Sequence, residues 1–235
     1  EGAKIERLVF SDIVMDKVNQ AIYLWLGKLR GGDYTGHMKD ISISNVVARA
    51  NNVSYIGGMD DVKIEHVTLN NVEQIMYKDQ WYNKSYDANS TDFRPWWSGW
   101  VRIPHGLYVD NAANLKLEDF KLRWDESAKS GWKSAVWIQD SEQVQVTGFT
   151  GRGHSDEHAA IVFEDVEGGF VNGCFAEKGC GTFVEVRGAN SSDIVLSGNF
   201  LNFAKEKIGF SDGVKKCSVS YGCEKSGSET SECKK

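Results

Sequence analysis

The chain has 235 residues, among them 24 glycines and 2 prolines, and a formal net charge of −6. This length is enough for one elongated domain with a sizeable core. The negative net charge disfavours a nucleic-acid partner, and no apolar run approaches the roughly 18 residues that a membrane span requires. The glycine content suits a fold that turns every few residues.

A six-residue pattern recurs along the chain and predicts its architecture. The pattern is an apolar residue, any residue, a second apolar residue, a polar residue, then Asp, Asn, His or Gly, and usually a further apolar residue; residues 144–149 are a clear copy, those at 169–174 and 194–199 are weaker, and the last, from Cys217, is incomplete. The third residues of the copies are Phe10, Ile43, Ile64, Leu117, Val146, Val171, Leu196 and Val219. A repeat of roughly 25 residues is typical of solenoids, and alternation within each copy indicates a strand.

A second set of short segments accompanies the pattern. These segments cover residues 107–109, 136–138, 161–163 and 184–186, and each has apolar residues at its first and third positions. Such alternation points one strand face inward and the other outward. Because no single repeat can bury its apolar face alone, the repeats must stack, and we predict an all-β solenoid of about eight coils.

The pattern places a single domain over residues 1–223 and a flexible tail, rich in Ser, Glu and Lys, over residues 224–235. Predicted coils cover residues 4–27, 38–53, 59–75 and 106–203. The sequence opens at Glu1 almost within the first coil, whereas a solenoid normally carries a polar cap there. We therefore expect more chain upstream in the parent protein.

Residues 77–104 form an insertion between two coils. Its aromatic residues are Tyr77, Trp81, Tyr82, Tyr86, Phe93, Trp96, Trp97 and Trp100, and its arginines are Arg94 and Arg102. A loop of this length is usually functional or disordered, and its aromatic content disfavours disorder. On one interpretation, some rings fold the insertion onto the flank of the solenoid, while one or two stack on the sugars that the family resemblance given below implies, with Arg94 or Arg102 paired to uronate carboxylates; the alternative is that all of them are structural. We predict substrate-binding roles for Trp96, Trp97, Trp100 and Arg102.

Two basic residues in the loop after the first coil are further candidates for substrate binding. Lys28 and Arg30 lie in a polar, glycine-rich segment that follows residues 21–27. They either flank the substrate cleft that the family resemblance given below implies or are solvated loop charges, and both interpretations stay open.

The five cysteines are Cys174, Cys180, Cys217, Cys223 and Cys233. Three of them crowd the C-terminus, where a disulfide would fasten the last coil and would indicate an oxidising compartment. The other interpretation is five buried thiols, and the sequence does not determine the connectivity.

Residues 154–158, His-Ser-Asp-Glu-His, are the densest cluster of potential metal ligands. The histidine spacing matches a helical zinc motif, but no helix is predicted here. We favour a solvated turn, and we expect neither a metal nor another cofactor.

Five segments occur in a recognisable order and spacing: residues 10–15 (Phe10-Ser11-Asp12-Ile13-Val14-Met15), 21–27, 38–46, 103–109 and 115–120. Together they resemble the polygalacturonase-like family, glycoside hydrolase family 28. The resemblance covers most of residues 4–165 and corresponds to the C-terminal half of the family. It implies a right-handed parallel β-helix and a secreted or periplasmic enzyme that acts on pectin-type polysaccharides.

The chain departs from this family at the catalytic motifs. The family's N-T-D, D-D, G-H-G and R-I-K motifs precede the matched region, and none is present in this sequence. Two segments resemble these motifs only superficially: Asp60-Asp61 is expected in the turn before a coil, and Gly36-His37-Met38 lacks the second Gly and is expected in a loop after the wrong strand. An inverting glycosidase needs two carboxyl groups roughly 6.5–9.5 Å apart. Because the motifs that supply these carboxyl groups are absent from this sequence, no catalytic residue is assigned.

The expectation is thus the C-terminal part of a polysaccharide hydrolase, active only together with the upstream half of the same protein. A non-catalytic β-helix that binds carbohydrate or serves a structural role is the alternative. The motifs expected just upstream of Glu1 distinguish the two.

Overall fold

The structure is a computed structural model that describes residues 3–26, 36–59, 62–78, 103–128, 131–211 and 213–221. These residues form eighteen β-strands in two sheets and one short 3₁₀ helix, Lys216–Ser218. The strand pairings within both sheets are parallel. The chain is therefore all-β with parallel sheets, as the alternating pattern predicts. No helix among the described residues has both the length and the apolar character to cross a membrane.

In chain order the strands are β1 (Lys4–Val18), β2 (Tyr23–Trp25), β3 (His37–Ala50), β4 (Ser54–Gly57), β5 (Ile64–Met76), β6 (Leu107–Asp110), β7 (Ala112–Ala113), β8 (Lys116–Trp124), β9 (Val136–Gln139), β10 (Glu142–Thr147), β11 (Thr150–Gly151), β12 (Ile161–Glu164), β13 (Glu167–Asn172), β14 (Phe175–Ala176), β15 (Cys180–Arg187), β16 (Ser192–Ser197), β17 (Ala204–Phe210) and β18 (Val219–Tyr221). The second sheet contains β2, β4, β6, β9, β12, β15 and β17, and the first sheet contains the others.

An inward column of apolar residues runs through the first sheet. Successive strands pair Phe10 with Ile43, Ile43 with Leu69, Leu69 with Leu117, Leu117 with Val146, Val146 with Val171, Val171 with Leu196 and Leu196 with Tyr221. The prediction that residues 117, 146, 171 and 196 lie above one another is confirmed. Each of these four side chains is fully buried.

Two members of the predicted column are wrong. Ile64 pairs with Ala112 rather than with Ile43, and the column residue of that coil is Leu69. At the other end the column residue is Tyr221, since Val219 pairs with Ile194. The second error shifts the frame by two residues, which preserves the inward direction because strand side chains alternate with period two.

Left-handed corners explain the first error. The corner two residues after the column has a positive φ throughout, at Asp12, Asn45, Asn71, Asp119, Gly148, Gly173 and Gly198. A second corner three residues before the column is also left-handed, at Arg7, Asp40, His66, Asn114, Gln143, Gly168 and Asp193. Asn, Asp and Gly are the residues that adopt this conformation most readily. Each coil has two such corners, five residues apart, and in this coil an apolar residue lies two positions before each of them. Ile64 precedes the corner at His66 as Leu69 precedes the corner at Asn71, and the sequence pattern aligns on the wrong one.

The second sheet carries a parallel inward column. Leu107, Val136, Ile161, Val184 and Ile208 pair in succession. The four predicted segments therefore stack as expected. Together the two columns enclose one continuous apolar core.

The pairings of β5, β7, β10 and β8 close a ring of four strands. β5 pairs with β7 at Ile64 and with β8 from Thr68 onward, while β10 pairs with both β7 and β8. The left-handed corner at Asn114 separates β7 from β8, so these two strands are consecutive segments of one bent coil. This alternation of the chain between two parallel sheets is consistent with a β-helix.

Candidate binding site on the second sheet

The residues predicted from the sequence to bind substrate lie outside the described part of the chain. They are Lys28, Arg30, Trp96, Trp97, Trp100 and Arg102. Asp60 and Asp61 also lie outside it. The roles assigned to these residues therefore stay predictions.

The histidine-rich segment does not converge on one point. His154 contacts the carbonyl of Ala128 and packs edge-on against Trp124, whereas Asp156 pairs with Lys205. Within the described ranges, no group of three or more His, Cys, Asp or Glu side chains is arranged to hold a metal ion. His158 points elsewhere, into the cavity described below.

The cysteines fall into two classes. Cys174 and Cys180 are buried free thiols, and burial raises the pKa of each to about 11. Cys217 is disulfide-bonded. The alternative of five buried thiols is therefore wrong, and Cys223 and Cys233 lie outside the described residues.

An aromatic row covers the outward face of the second sheet. Tyr23, Tyr55, Tyr108 and Trp137 occupy one register position on successive strands. The Tyr55 ring centroid lies 5.8 Å from both Tyr23 and Tyr108. Tyr55 packs between Tyr23 and Tyr108, and the His105 ring contacts both Tyr108 and Trp137, so these rings stabilise the packing of the strands.

A polar cavity lies at the end of this row. It has a volume of about 390 Å³ and is lined by Pro104, His105, Lys133, Ser134, Trp137, Glu157, His158, Ala159, Glu185 and Arg187. The lining comes from four successive levels of the stack. The side chains form a mixed set of donors, cations and carboxylates around one aromatic ring.

His105 lies in the floor of the cavity and is only 5% exposed. The backbone N–H of Ser134 donates to its Nδ1 over 3.3 Å. Desolvation, followed by the positive charges of Lys133, His158 and Arg187, lowers the pKa of His105 to about 3. The ring is therefore neutral at physiological pH, and its proton resides on Nε2 because Nδ1 accepts.

Trp137 is held between two cavity residues. Its ring centroid lies 4.5 Å from that of His105, and the guanidinium carbon of Arg187 lies 4.8 Å from the centroid. Glu185 fixes the guanidinium, since both Nε and Nη2 of Arg187 lie 2.8 Å from its Oε1. The indole N–H of Trp137 is buried beside the Glu164 carboxyl without a hydrogen bond of good geometry within the described part of the chain.

Charge and burial shift two further pKa values near the cavity. Desolvation, aided by Lys133, lowers the pKa of His158. Desolvation raises the pKa of the Glu164 carboxyl, although Arg187 opposes that change. Neutral histidines beside cations leave N–H donors and positive charge facing the cavity.

Sequence reasoning missed this cavity. His105, Lys133, Glu157 and Glu185 are far apart in the sequence, and outward positions carry no apolar signal. The alignment of the second column could have found part of it. Trp137 and Glu185 each follow an inward apolar residue of that column, so aligning the strands places both side chains on the same outward face. Once the strands are aligned, these side chains lie two coils apart on one face.

No protein-family model matches the chain, and neither the curated proteins nor the solved structures include a match to it.

Proposed function

We propose that the protein is a right-handed parallel β-helix of about eight coils and the C-terminal part of an inverting glycoside hydrolase that acts on galacturonate-type linkages in pectin. In this proposal the catalytic carboxylates belong to coils upstream of β1. The sequence resemblance of residues 10–15, 21–27 and 38–46 supports the family, and the two parallel columns support the solenoid.

The uncovered inward row of β1 is the observation that carries the proposal. Phe10 begins the inward column and is 43% exposed, whereas Leu69 and Leu117 in the same column are 0% exposed. Leu8 is also exposed, and an apolar cavity of about 190 Å³ opens beside Phe10 and Ile13. An apolar row of this kind is normally buried, because a solenoid repeat covers its face only by stacking.

The backbone of β1 suits one further coil. Among the described strands β1 pairs only with β3, so one of its edges is open. Its corners at Arg7 and Asp12 are left-handed, like the equivalent corners of the coils that do stack. A preceding coil of the same shape would pair with this edge and cover Phe10, which would bring the upstream half against the described residues.

The test compares this chain with the longer gene product that includes its preceding sequence. Release of reducing ends from polygalacturonate is measured for both. We expect no hydrolysis by the chain alone and hydrolysis with inversion by the longer protein. Loss of that activity after a carboxylate-to-amide change in the upstream N-T-D motif is the control. An inactive longer protein that lacks these motifs refutes the hydrolase.

A carbohydrate-binding module without catalysis is the second candidate, and the cavity at Trp137 favours it. That cavity lies entirely within the described residues and needs no upstream coil. The upstream sequence separates the candidates, because only the hydrolase requires the carboxylate motifs there.

A secreted or periplasmic location forms part of both proposals. The disulfide at Cys217 supports it, since disulfides persist in oxidising compartments. Mass spectrometry of the protein from its natural source, alkylated before reduction, tests this: a free Cys217 thiol contradicts the location.

A further inference from the structure

We propose that a second copy of this chain docks on the outward face of the first sheet, beside β13, β14 and β16. The docking surface is an apolar band that consists of Phe170, Phe175, Val195, Phe200 and Phe203, all of them exposed. This surface is distinct from the cavity at Trp137 and from the uncovered end at β1, and the inference does not depend on the proposed hydrolysis.

Two outward rows of the first sheet become apolar at the same two levels. Both rows are followed here across paired strands from β8 toward the C-terminus. One row contains Lys116, Gln145, Phe170 and Val195. The other contains Lys121, Thr150, Phe175 and Phe200. A face that meets only solvent gains nothing from such a change, whereas contiguous exposed apolar surface marks an interaction site.

The three phenylalanines at one side of the band form a continuous surface. Phe175, Phe200 and Phe203 are 52%, 47% and 54% exposed. The ring centroid of Phe200 lies 5.9 Å from that of Phe175 and 6.3 Å from that of Phe203. The ring planes are inclined by 40° and 75°, so they do not form the flat platform on which a sugar ring stacks. An irregular apolar surface of this kind fits the side chains of another protein surface.

The corner between the two rows leaves room for a partner at the band. In the first coils this corner carries Asp12, Asn45 and Asn71, whose side chains bond to one another and project from the sheet. At the levels of the band the corner residues are Gly173 and Gly198. Because glycine has no side chain, a partner can approach the backbone between the two rows.

The area of the band matches what a small dimer interface needs. A fully exposed aromatic ring presents roughly 200 Å², so the five partly exposed side chains together present roughly 400 Å². A standard interface buries roughly 800 Å² on each partner, of which a little more than half is apolar. The band therefore supplies most of the apolar area that one copy must contribute.

The two edges of the band carry opposite charges. Glu167 and Asp193 are exposed at one edge, just before Phe170 and Val195 in the chain. Lys178 is exposed at the other edge, after Phe175, where the neighbouring Glu177 is half-buried. If a two-fold axis lies in the interface along the stacking direction, the acidic edge of each copy faces Lys178 of the other. Such a symmetric, self-complementary interface is the commonest kind among homo-oligomers, and the charges of the band fit it.

Sedimentation equilibrium of the pure 235-residue protein tests the proposal. We expect a reversible dimer with a dissociation constant of about 10 µM, as suits an interface of modest area. Phe200→Ser should weaken the dimer by at least about tenfold, because it removes a ring from the centre of the band. Phe10→Ser removes a similarly exposed ring at β1 and is the matched control, which should leave the dissociation constant unchanged. Circular dichroism checks that both variants are folded.

Two charge reversals test the arrangement of the edges without altering the aromatic side chains. Glu167→Lys and Lys178→Glu each place like charges opposite one another, and each should weaken the dimer by about fivefold. The two reversals together recreate opposite charges across the interface and should restore most of the affinity. Both residues are exposed, so the melting temperatures of the monomers should match the wild type.

Three results would overturn the proposal. A pure protein that stays monomeric at about 100 µM would leave a different molecule as the occupant of the band. Equal losses from Phe10→Ser and Phe200→Ser would place the association at the open end of β1. A combined charge reversal no tighter than the single reversals would exclude the two-fold arrangement. None of these measurements uses an enzymatic assay, so failure of the hydrolase proposal leaves them interpretable.

Discussion

Leu117 in the first sheet and Val136 in the second point into one core, and both are fully buried. The outward faces of the same sheets differ. On the first sheet, Val9 and Lys116 share one outward row and are exposed, whereas Tyr55 in the corresponding row of the second sheet is 3% exposed. Stacking constrains only the inward columns. The outward rows are free to differ, and in the second sheet they form a packed aromatic layer that ends in a polar cavity.

The largest expected effect tests whether that outer layer contributes to folding. Tyr55→Ala removes a ring that packs between Tyr23 and Tyr108, and we expect a loss of about 3–5 kcal/mol in the free energy of unfolding. Lys116→Ala, on the outward face of the first sheet, should change it by no more than about 0.5 kcal/mol. Urea unfolding measures both. Similar losses for the two variants would mean that the outer faces are equivalent.

The second prediction uses the pH dependence of stability. His105 has a folded-state pKa of about 3, below that of the unfolded chain, so the unfolded state binds the proton first as the pH falls. Stability from this residue is complete above about pH 6.5 and is lost progressively toward pH 3, by about 3 kcal/mol between pH 7 and pH 4.

His105→Asn keeps an acceptor for the Ser134 N–H but does not titrate in this window. Its unfolding free energy should therefore fall less steeply with pH than that of the wild type, when both are measured by urea unfolding at several pH values. If the unfolding free energies of the two proteins fall equally with pH, the pKa of His105 is not lowered by folding.

A smaller loss of stability is expected when alanine replaces glycine at a corner, and the two sheets offer one such corner each for comparison. Gly173 and Gly188 both have positive φ, but a Cβ on Gly188 would lie 2.3 Å from Asp165 Oδ1, whereas the nearest atom to a Cβ on Gly173 is 4.0 Å away. Gly173→Ala should cost about 1 kcal/mol from backbone strain alone. Gly188→Ala should cost about 1 kcal/mol more, because Asp165 must move. Equal losses in thermal unfolding would show that Asp165 moves freely.

The smallest expected difference concerns the two free thiols, which lie near different sheets. Cys174 and Cys180 are both buried, and burial raises the pKa of each to about 11. Neither should react with iodoacetamide in the folded protein at neutral pH, since the thiolate is the reactive form. Rapid labelling of one thiol, detected by mass spectrometry, would show that the inward faces are not equally closed.

The all-β class and most of both inward columns could be predicted from the sequence because burial imposes a period of two. The choice of Leu69 rather than Ile64 as the column residue could not be predicted, because both residues precede a left-handed corner by two positions, at Asn71 and His66 respectively. The cavity could not be predicted either. Its lining depends on which outward residues stand side by side, and that follows only from the stacking register. The six predicted substrate-binding residues, Lys28, Arg30, Trp96, Trp97, Trp100 and Arg102, lie outside the described residues, so their assignment stays a prediction.

The exposed rows at the ends of the stack affect how the protein opens. Each described strand contacts mainly the strands beside it in its sheet, and in the β-helix proposed above stability is a sum of local and nearest-neighbour contributions. Phe10 at one end is 43% exposed and Tyr221 at the other is 39% exposed, whereas the column residues between them have neighbours on both sides. Opening should therefore begin at the ends and advance coil by coil. For this chain alone, without the preceding coil proposed above, amide hydrogen exchange among the described strands is expected to be fastest along β1 and β18, slower in β3 and β16, and slowest near β10.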